Sequence, residues 1–184
     1  SLRERVKSPP AQTLVDAYYA PAIDAGLKYE FAHEMRIHLA HALMLERQGI
    51  VGRDDIAKIL RTLLDLQRSG PGVLAIDYLQ EDLYSYVESH IVRALGRETG
   101  GRLHTARSRN DLHTTTWRLA LREHLLALLE QLNDLRETSL QLAGKHADTV
   151  MPGYTHTQHA QPIPLGYYLL TLAEVLGRDY ARLR

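Results

Sequence analysis

Residues 111–146 read DLHTTTWRLALREHLLALLEQLNDLRETSLQLAGKH, with leucines at 121, 125, 128, 132, 135 and 142, alternately four and three apart until Ser139 breaks the series. That alternation is the seam of a coiled-coil-like helix. One helix of more than about 30 residues cannot bury such a seam alone, so it needs long partner helices from its own chain or from another subunit. The fold class predicted is all-α: a small N-terminal helical domain followed by the beginning of a long-helix bundle, expected to be oligomeric.

Upstream of this helix the periodicity stays helical, with few β-branched runs and almost no strict alternation. A first core helix is predicted over 29–48, with Phe31, Met35, Leu39, Ala42 and Leu43 on one face and Gly49 placed to end it. A second runs over 54–68, with Ile56, Ile59, Leu60, Leu63 and Leu64 inward and two acids in its first turn, before Gly70-Pro71-Gly72 stops it. A third covers 79–95 through Leu83, Val87, Ile91 and Leu95, ahead of Gly96 and the flexible pair Gly100-Gly101. The expected domains are therefore residues 1–103 and residues 104–184. Downstream, 148–161 reads as a loop, and Pro162 and Pro164 open a last helix that runs to Arg184. With only two bundle helices, the second domain reads as incomplete. The first ten residues, ending in Pro9-Pro10, read as a loose arm without the apolar core of a secretory signal.

Lys plus Arg and Asp plus Glu are both 22, so the net charge is zero and no global basic field points to nucleic acid or an anionic membrane. Anion recognition must then be local. There is no cysteine, which removes disulfides, thiolate chemistry and Cys-type zinc sites; a reducing, cytoplasmic setting is compatible with this. The longest mostly apolar stretch, 165–176, is broken by Gly166, Thr171 and Glu174 and falls short of the ~20 residues a bilayer span needs.

Two polar clusters carry chemistry. Arg102-Leu103-His104-Thr105-Ala106-Arg107-Ser108-Arg109-Asn110-Asp111 sits at the head of the long helix. Unpaired N–H groups, the helix dipole and arginine forks together make a cradle for a carboxylate or phosphate. The plainer alternative is that Asp111 caps the helix and the arginines are solvated or pair with nearby acids. The second cluster, Met151 to Pro162, holds His156 and His159 among threonines and glutamines. A metal on these two histidines lacks a further acid or histidine close in sequence, and acid–base work by His156 suits the pattern better. His33, His38 and His41 are expected to be ordinary hydrogen-bonded or surface histidines of an amphipathic helix, and the tyrosines to be mostly boundary packing.

The strings themselves go further than the spacing. Leu103 to Asp111 resembles the first signature region of argininosuccinate lyases, in the fumarase and aspartase superfamily. Pro152-Gly153-Tyr154-Thr155-His156, with Gln158 and Ala160-Gln161-Pro162, resembles the second. The likeness extends through Ala40-His41-Ala42, Gln48-Gly49-Ile50 and Glu81-Asp82. It implies a carbon–nitrogen lyase that releases fumarate from an N-succinyl substrate, most directly argininosuccinate. It implies no metal, no cofactor and no nucleic-acid or membrane partner. By this resemblance Ser108, Arg109, Asn110 and Thr155, with His104 and Gln161, bind the substrate's carboxylates, and His156 and Thr155 serve catalysis. The family assembles each active site from three subunits of a cytoplasmic homotetramer. Its third segment, a glycine- and serine-rich loop bearing the serine base, has no match here, so the chain is expected to be a fragment or to be inactive alone. Three departures accompany the match. The family's serine in the first core helix is His38 here, and its histidine and asparagine after the Glu-Asp pair are Tyr84 and Tyr86. These are expected to reshape the pocket, leaving the carboxylate half of the substrate firmer than the arginine half, or a non-catalytic, crystallin-like role. The family's N-terminal glycine-rich segment is not recognisable.

Overall fold

A computed structural model describes residues 8–184; of the expected N-terminal arm, residues 1–7 lie outside the described residues. The chain divides into two compact units that meet in sequence between Ala120 and Leu121.

The first unit opens on a helical stretch that the sequence reading does not anticipate. Short α-helical turns, α1 (Gln12–Leu14) and α2 (Ala20–Ala25), alternate with wider π-helical turns over Val15–Tyr19 and Gly26–Glu30. Pro21 explains the first widening, because it has no N–H to give to the preceding turn. The chain accommodates this as Ala20 N–H reaches back five residues to the Val15 carbonyl. The second widening ends where Phe31 N–H reaches the Gly26 carbonyl, and α3 (Phe31–Arg47) follows directly.

Helix α3 ends as expected at Gly49, whose φ of 66° is the left-handed conformation. Ile50 N–H donates to the Leu45 carbonyl at 2.9 Å and Gly49 N–H to that of Glu46 at 2.9 Å, which closes the last turn. Helix α4 (Arg53–Ser69) carries Asp54 and Asp55 in its first turn and stops at Gly70, at φ 74°. Helix α5 (Leu83–Gly100) is capped by Asp82, whose carboxylate accepts from Ser85 N–H at 2.8 Å and Ser85 Oγ at 2.6 Å. Gly96 does break this helix, with φ 80° and ψ 161°, but the chain turns helical again and runs on to Gly100. A 3-10 turn, Gly101–His104, leads to the long helix α6 (Arg109–Lys145).

Helices α3, α4 and α5 enclose one apolar core around Met35, Leu45, Ile59, Leu63, Val87 and Ile91, all fully buried. The inward faces differ from expectation in register. Leu43 and Leu64 are exposed, while Leu45 and Leu66 take the buried places; Leu39, Leu60 and Leu95 are only partly covered. Each helix is rotated slightly about its axis from the position that would bury the longest leucine run.

The second unit contains the rest of α6, two strands and α7 (Leu165–Leu183). The segment read as a loop over 148–161 is instead a β-hairpin, β1 (Val150–Thr155) paired antiparallel with β2 (Gln158–Pro164). It is a small exception to an otherwise helical fold. Its prolines at 152, 162 and 164 and its almost wholly exposed residues hide the strand alternation in the sequence. Helix α7 returns close against the end of α6. A methyl added at Gly166 would sit 2.5 Å from the Ala143 carbonyl oxygen and 3.0 Å from Ala147 Cα, so only glycine fits there. Further along, the Arg136 guanidinium lies 5.6 Å from the Tyr180 ring. The leucine seam is half used. Ser139 is buried and Leu125 and Leu132 are partly covered, whereas Leu121, Leu128, Leu135 and Leu142 stay exposed.

Removing the centre of the core should be costly. Ile59→Ala is expected to lower stability by about 2–5 kcal/mol, and Arg61→Ala, on the exposed side of the same helix, by no more than about 0.5 kcal/mol. Thermal or urea unfolding of the two variants checks the difference.

Candidate functional site

The head of α6 is built by local hydrogen bonds. Ser108 Oγ accepts from Asn110 N–H at 3.1 Å, and Asp111 returns the favour by accepting from Ser108 N–H at 3.1 Å. This reciprocal cap satisfies donors that an anion would otherwise take. The plainer alternative for Asp111 is thus what the structure contains, and the Asn110 side-chain amide remains exposed. Just upstream, Ala106 takes φ 58°, a left-handed conformation that costs an alanine about 1–2 kcal/mol. The turn needs strong holds elsewhere to keep it.

Those holds come from α3 and α5. His41 Nε2 lies 2.9 Å from the Thr105 carbonyl and donates to it; burial depresses its pKa and keeps it neutral. His38 is fully buried, with Nε2 3.1 Å from Glu34 Oε1 and Nδ1 3.0 Å from Arg107 Nη2. Since an arginine can only donate, Nδ1 must be the bare nitrogen and Nε2–H must point to Glu34. Tyr84 lies beneath the turn, with the His104 ring 5.3 Å away and the Arg109 guanidinium 5.3 Å from its centroid. Its hydroxyl donates to Glu88 at 2.8 Å, and burial, with that carboxylate, pushes its pKa far up. Burial lowers the pKa of both His104 and Arg107. The bland reading of His38 and His41 as hydrogen-bonded histidines holds, yet the partner of each is the signature turn itself.

Of the three departures, His38 and Tyr84 pack under the turn. His38, Tyr84 and Tyr86 are all buried, Tyr86 donating to Asp77 at 2.7 Å. None of them lines the cavity next to Arg109. His38 and Tyr84 contact the turn at 104–109 instead, while the Tyr86 hydroxyl serves the Asp77–Gln80 loop.

That cavity, about 620 Å³, lies between the N-terminal helical stretch and the α5–α6 ends, with Arg109, Asn110, His113, Glu81 and Asp82 on one wall and Tyr18, Tyr19, Gly26 and Glu30 on the other. Arg109 Nη1 donates to Glu81 at 2.8 Å and lies 3.3 Å from Asp82, so one arm of its fork is already occupied. His113 Nε2 is 3.1 Å from Asp82. Burial alone would raise the Asp82 pKa, but hydrogen bonds from His113 and Ser85 and the charge of Arg109 outweigh it and hold the group at about 2. The same bond to Asp82 raises His113 despite its burial.

In the second unit, Thr155 ends β1 opposite Gln158, and His156 and Thr157 form a two-residue turn with φ of 47° and 66°. Both signs are those of the turn that matches strand twist, which normally asks for Asn-Gly. A β-branched threonine at positive φ is a genuine outlier, and such strain collects where a side chain must be presented. His156 is exposed at the tip, and Gln161 is exposed on β2. Tyr154 and His159 pair across the hairpin, hydroxyl to Nε2 at 2.9 Å. His159 thus has a tyrosine partner, and no cluster of three metal-ligating side chains exists among the described residues. The first unit carries His104, Ser108, Arg109 and Asn110, of which Arg109 and Asn110 line the cavity, and the second carries Thr155 and His156 at the hairpin tip, with Gln161 further along β2. Sequence reasoning gave no role to His113 or Glu30; their only sequence signal is helical spacing from Arg109 and Glu34.

A family model described as lyase matches residues 28–184. The chain belongs to the fumarase and aspartase superfamily of lyases. This lyase chain is 39% identical to argininosuccinate lyase 1 of Shouchella clausii (strain KSM-K16) over 97% of its own length and 36% of the relative's. It is 42% identical to the argininosuccinate lyase of Methanosarcina barkeri (strain Fusaro / DSM 804) over 90% of its length and 33% of the relative's. Among solved structures it resembles an EDDS lyase variant with bound fumarate, at TM-score 0.77 and 32% identity over 97% of this lyase chain and 35% of the other. A 3-carboxy-cis,cis-muconate lactonizing enzyme from Pseudomonas putida follows at TM-score 0.71 and 27% identity, over 93% and 40% of the two chains. The lyase chain spans about a third of the length of the curated relatives it matches. No helix among the described residues is long and apolar enough to cross a membrane.

The Asp82–His113 pair gives the chain a defined pH response. Asp82, held below its ordinary 3.8, contributes stability present above that value and lost as pH falls towards about 2. His113, raised above 6.5, contributes stability fully present below 6.5 and lost as pH climbs through its higher folded value. Urea midpoints taken at about pH 6 and about pH 9 should fall on the alkaline side for the parent, and His113→Asn should remove most of that difference.

Proposed function

We propose that this chain is the N-terminal part of a carbon–nitrogen lyase that eliminates an amine from an N-succinyl compound to leave fumarate, with argininosuccinate as the leading substrate. The observation that carries the reading is the family match over 28–184, within which Arg109 and Asn110 head α6 beside a cavity and His156 tips the hairpin. The relatives named argininosuccinate lyase and the EDDS lyase structure holding fumarate support the same reaction class.

In this reading a base takes a proton from the carbon next to one carboxylate. The electron pair left behind forms the new carbon–carbon double bond as the neighbouring carbon–nitrogen bond breaks, and the nitrogen leaves with an added proton. The slow feature is the extra negative charge on the carboxylate beside the ionised carbon. Donors fixed in advance around that carboxylate, here Ser108, Arg109, Asn110 and Thr155 with His104 and Gln161, stabilise it without reorganising. His156 moves or polarises the proton together with Thr155. We further propose a cytoplasmic homotetramer in which residues 104–184 begin the central bundle and different subunits complete each site; the exposed leucines at 121, 128, 135 and 142 supply a reason for helices to gather there. A different succinyl amine is the second reading, favoured by His38 and Tyr84, which fill buried positions directly beneath the arginine-bearing turn.

The full-length protein given argininosuccinate should show ultraviolet absorbance growing as fumarate is released, and silence with several N-succinyl amines would count decisively against the lyase. His156→Asn should lower kcat by about 10²- to 10³-fold while assembly, followed by light scattering, stays intact.

A further inference from the structure

We propose that Glu30 reads a positive charge on the amine half of the substrate, so that the cavity beside Arg109 accepts N-substituted aspartates whose substituent ends in a cation. The inference rests on the lyase reading for the identity of the succinyl half, and adds to it a residue and a chemical class for the other half. Its basis is an imbalance inside the cavity. The wall opposite the N-terminal stretch is internally matched, since Glu81 and Asp82 are both engaged by Arg109, and Asp82 also by His113 and Ser85. Glu30 lines the same cavity, is half-buried, and has no hydrogen bond or ion pair among the described residues.

A carboxylate withdrawn from water without a partner is unfavourable, and a ligand cation is the group that relieves it. The surroundings fit an ammonium or guanidinium rather than a metal. Tyr18 and Tyr19 line the same cavity, and aromatic rings attract organic cations. Burial pushes the Glu30 pKa up; of its charged neighbours, His113 and His33 favour the ionised form and Glu34 opposes it. His113 is committed to Asp82. With about 620 Å³ available, a dicarboxylate held near Asn110 leaves room for a substituent several atoms long. The placement of Glu30 itself depends on the π-helical turn over Gly26–Glu30, a kind of irregularity often kept at functional sites.

The test uses the full-length protein and two probes of matched length, N-(aminobutyl)aspartate with a cationic tail and N-pentylaspartate with a neutral one. Affinities come from calorimetric titration, and fumarate release is followed separately by ultraviolet absorbance. Glu30→Gln is expected to weaken binding of the cationic probe by about 10- to 100-fold and that of the neutral probe by less than about twofold. Equal losses for the two probes, or no loss for either, overturn the proposal. Should the variant unfold, the unaltered protein decides: it must bind the cationic probe more tightly by a similar factor, and equal affinities sink the idea. Absence of fumarate from both probes and from argininosuccinate instead overturns the lyase reading, while the affinity ratio still judges Glu30.

Discussion

The hydrogen bond from the Arg107 guanidinium to Nδ1 of His38, seconded by that from His41 to the Thr105 carbonyl, ties the signature turn to the helical core. Around it the requirements interlock. His38 Nδ1 accepts from Arg107, its Nε2–H donates to Glu34, and the three side chains are joined in one chain of hydrogen bonds. With Arg107 held, Ala106 can be kept in its left-handed conformation, and Ser108 to Asp111 can start α6 in a fixed direction. Arg109 then reaches the paired acids at the head of α5. The residues at the head of α6 are positioned by this chain of contacts more than by anything in their own immediate sequence.

The same logic separates what can be read from the sequence and what cannot. Helices α3 and α4 are legible because apolar spacing, first-turn acids and the glycines at 49 and 70 all agree. Which leucine of a near pair faces inward is not legible. Leu43 and Leu45, or Leu64 and Leu66, lie on different sides of one helix, and only the neighbouring helix decides between them. The hairpin is hidden for a different reason: its strands are rich in proline, nearly all exposed, and joined by His156-Thr157 where turn chemistry leads one to look for Asn-Gly. Short exposed ribbons have no buried face to impose alternation.

The candidate site divides along the same line. Arg109, Asn110 and His156 stand out because dense polar clusters at helix heads and turns are rare enough to attract notice. His38, His41 and Glu30 do not, because a histidine or glutamate in an amphipathic helix reads as surface until the fold places something over it. His38 and His41 carry the turn, and of the three departures His38 and Tyr84 lie under it, not along the cavity. A residue's type limits its chemistry; its depth decides whom it serves.

The wide turns near the start of the chain have an evolutionary corollary. A π-helical turn amounts to one surplus residue in a helix, and losing that residue swings everything on one side by about 100° relative to the other. A one-codon deletion between Gly26 and Glu30 would thus carry Tyr18 and Tyr19 away from the cavity as a block, leaving the composition of the segment almost untouched. Insertions and deletions in this stretch therefore re-line the cavity more abruptly than replacement of individual side chains.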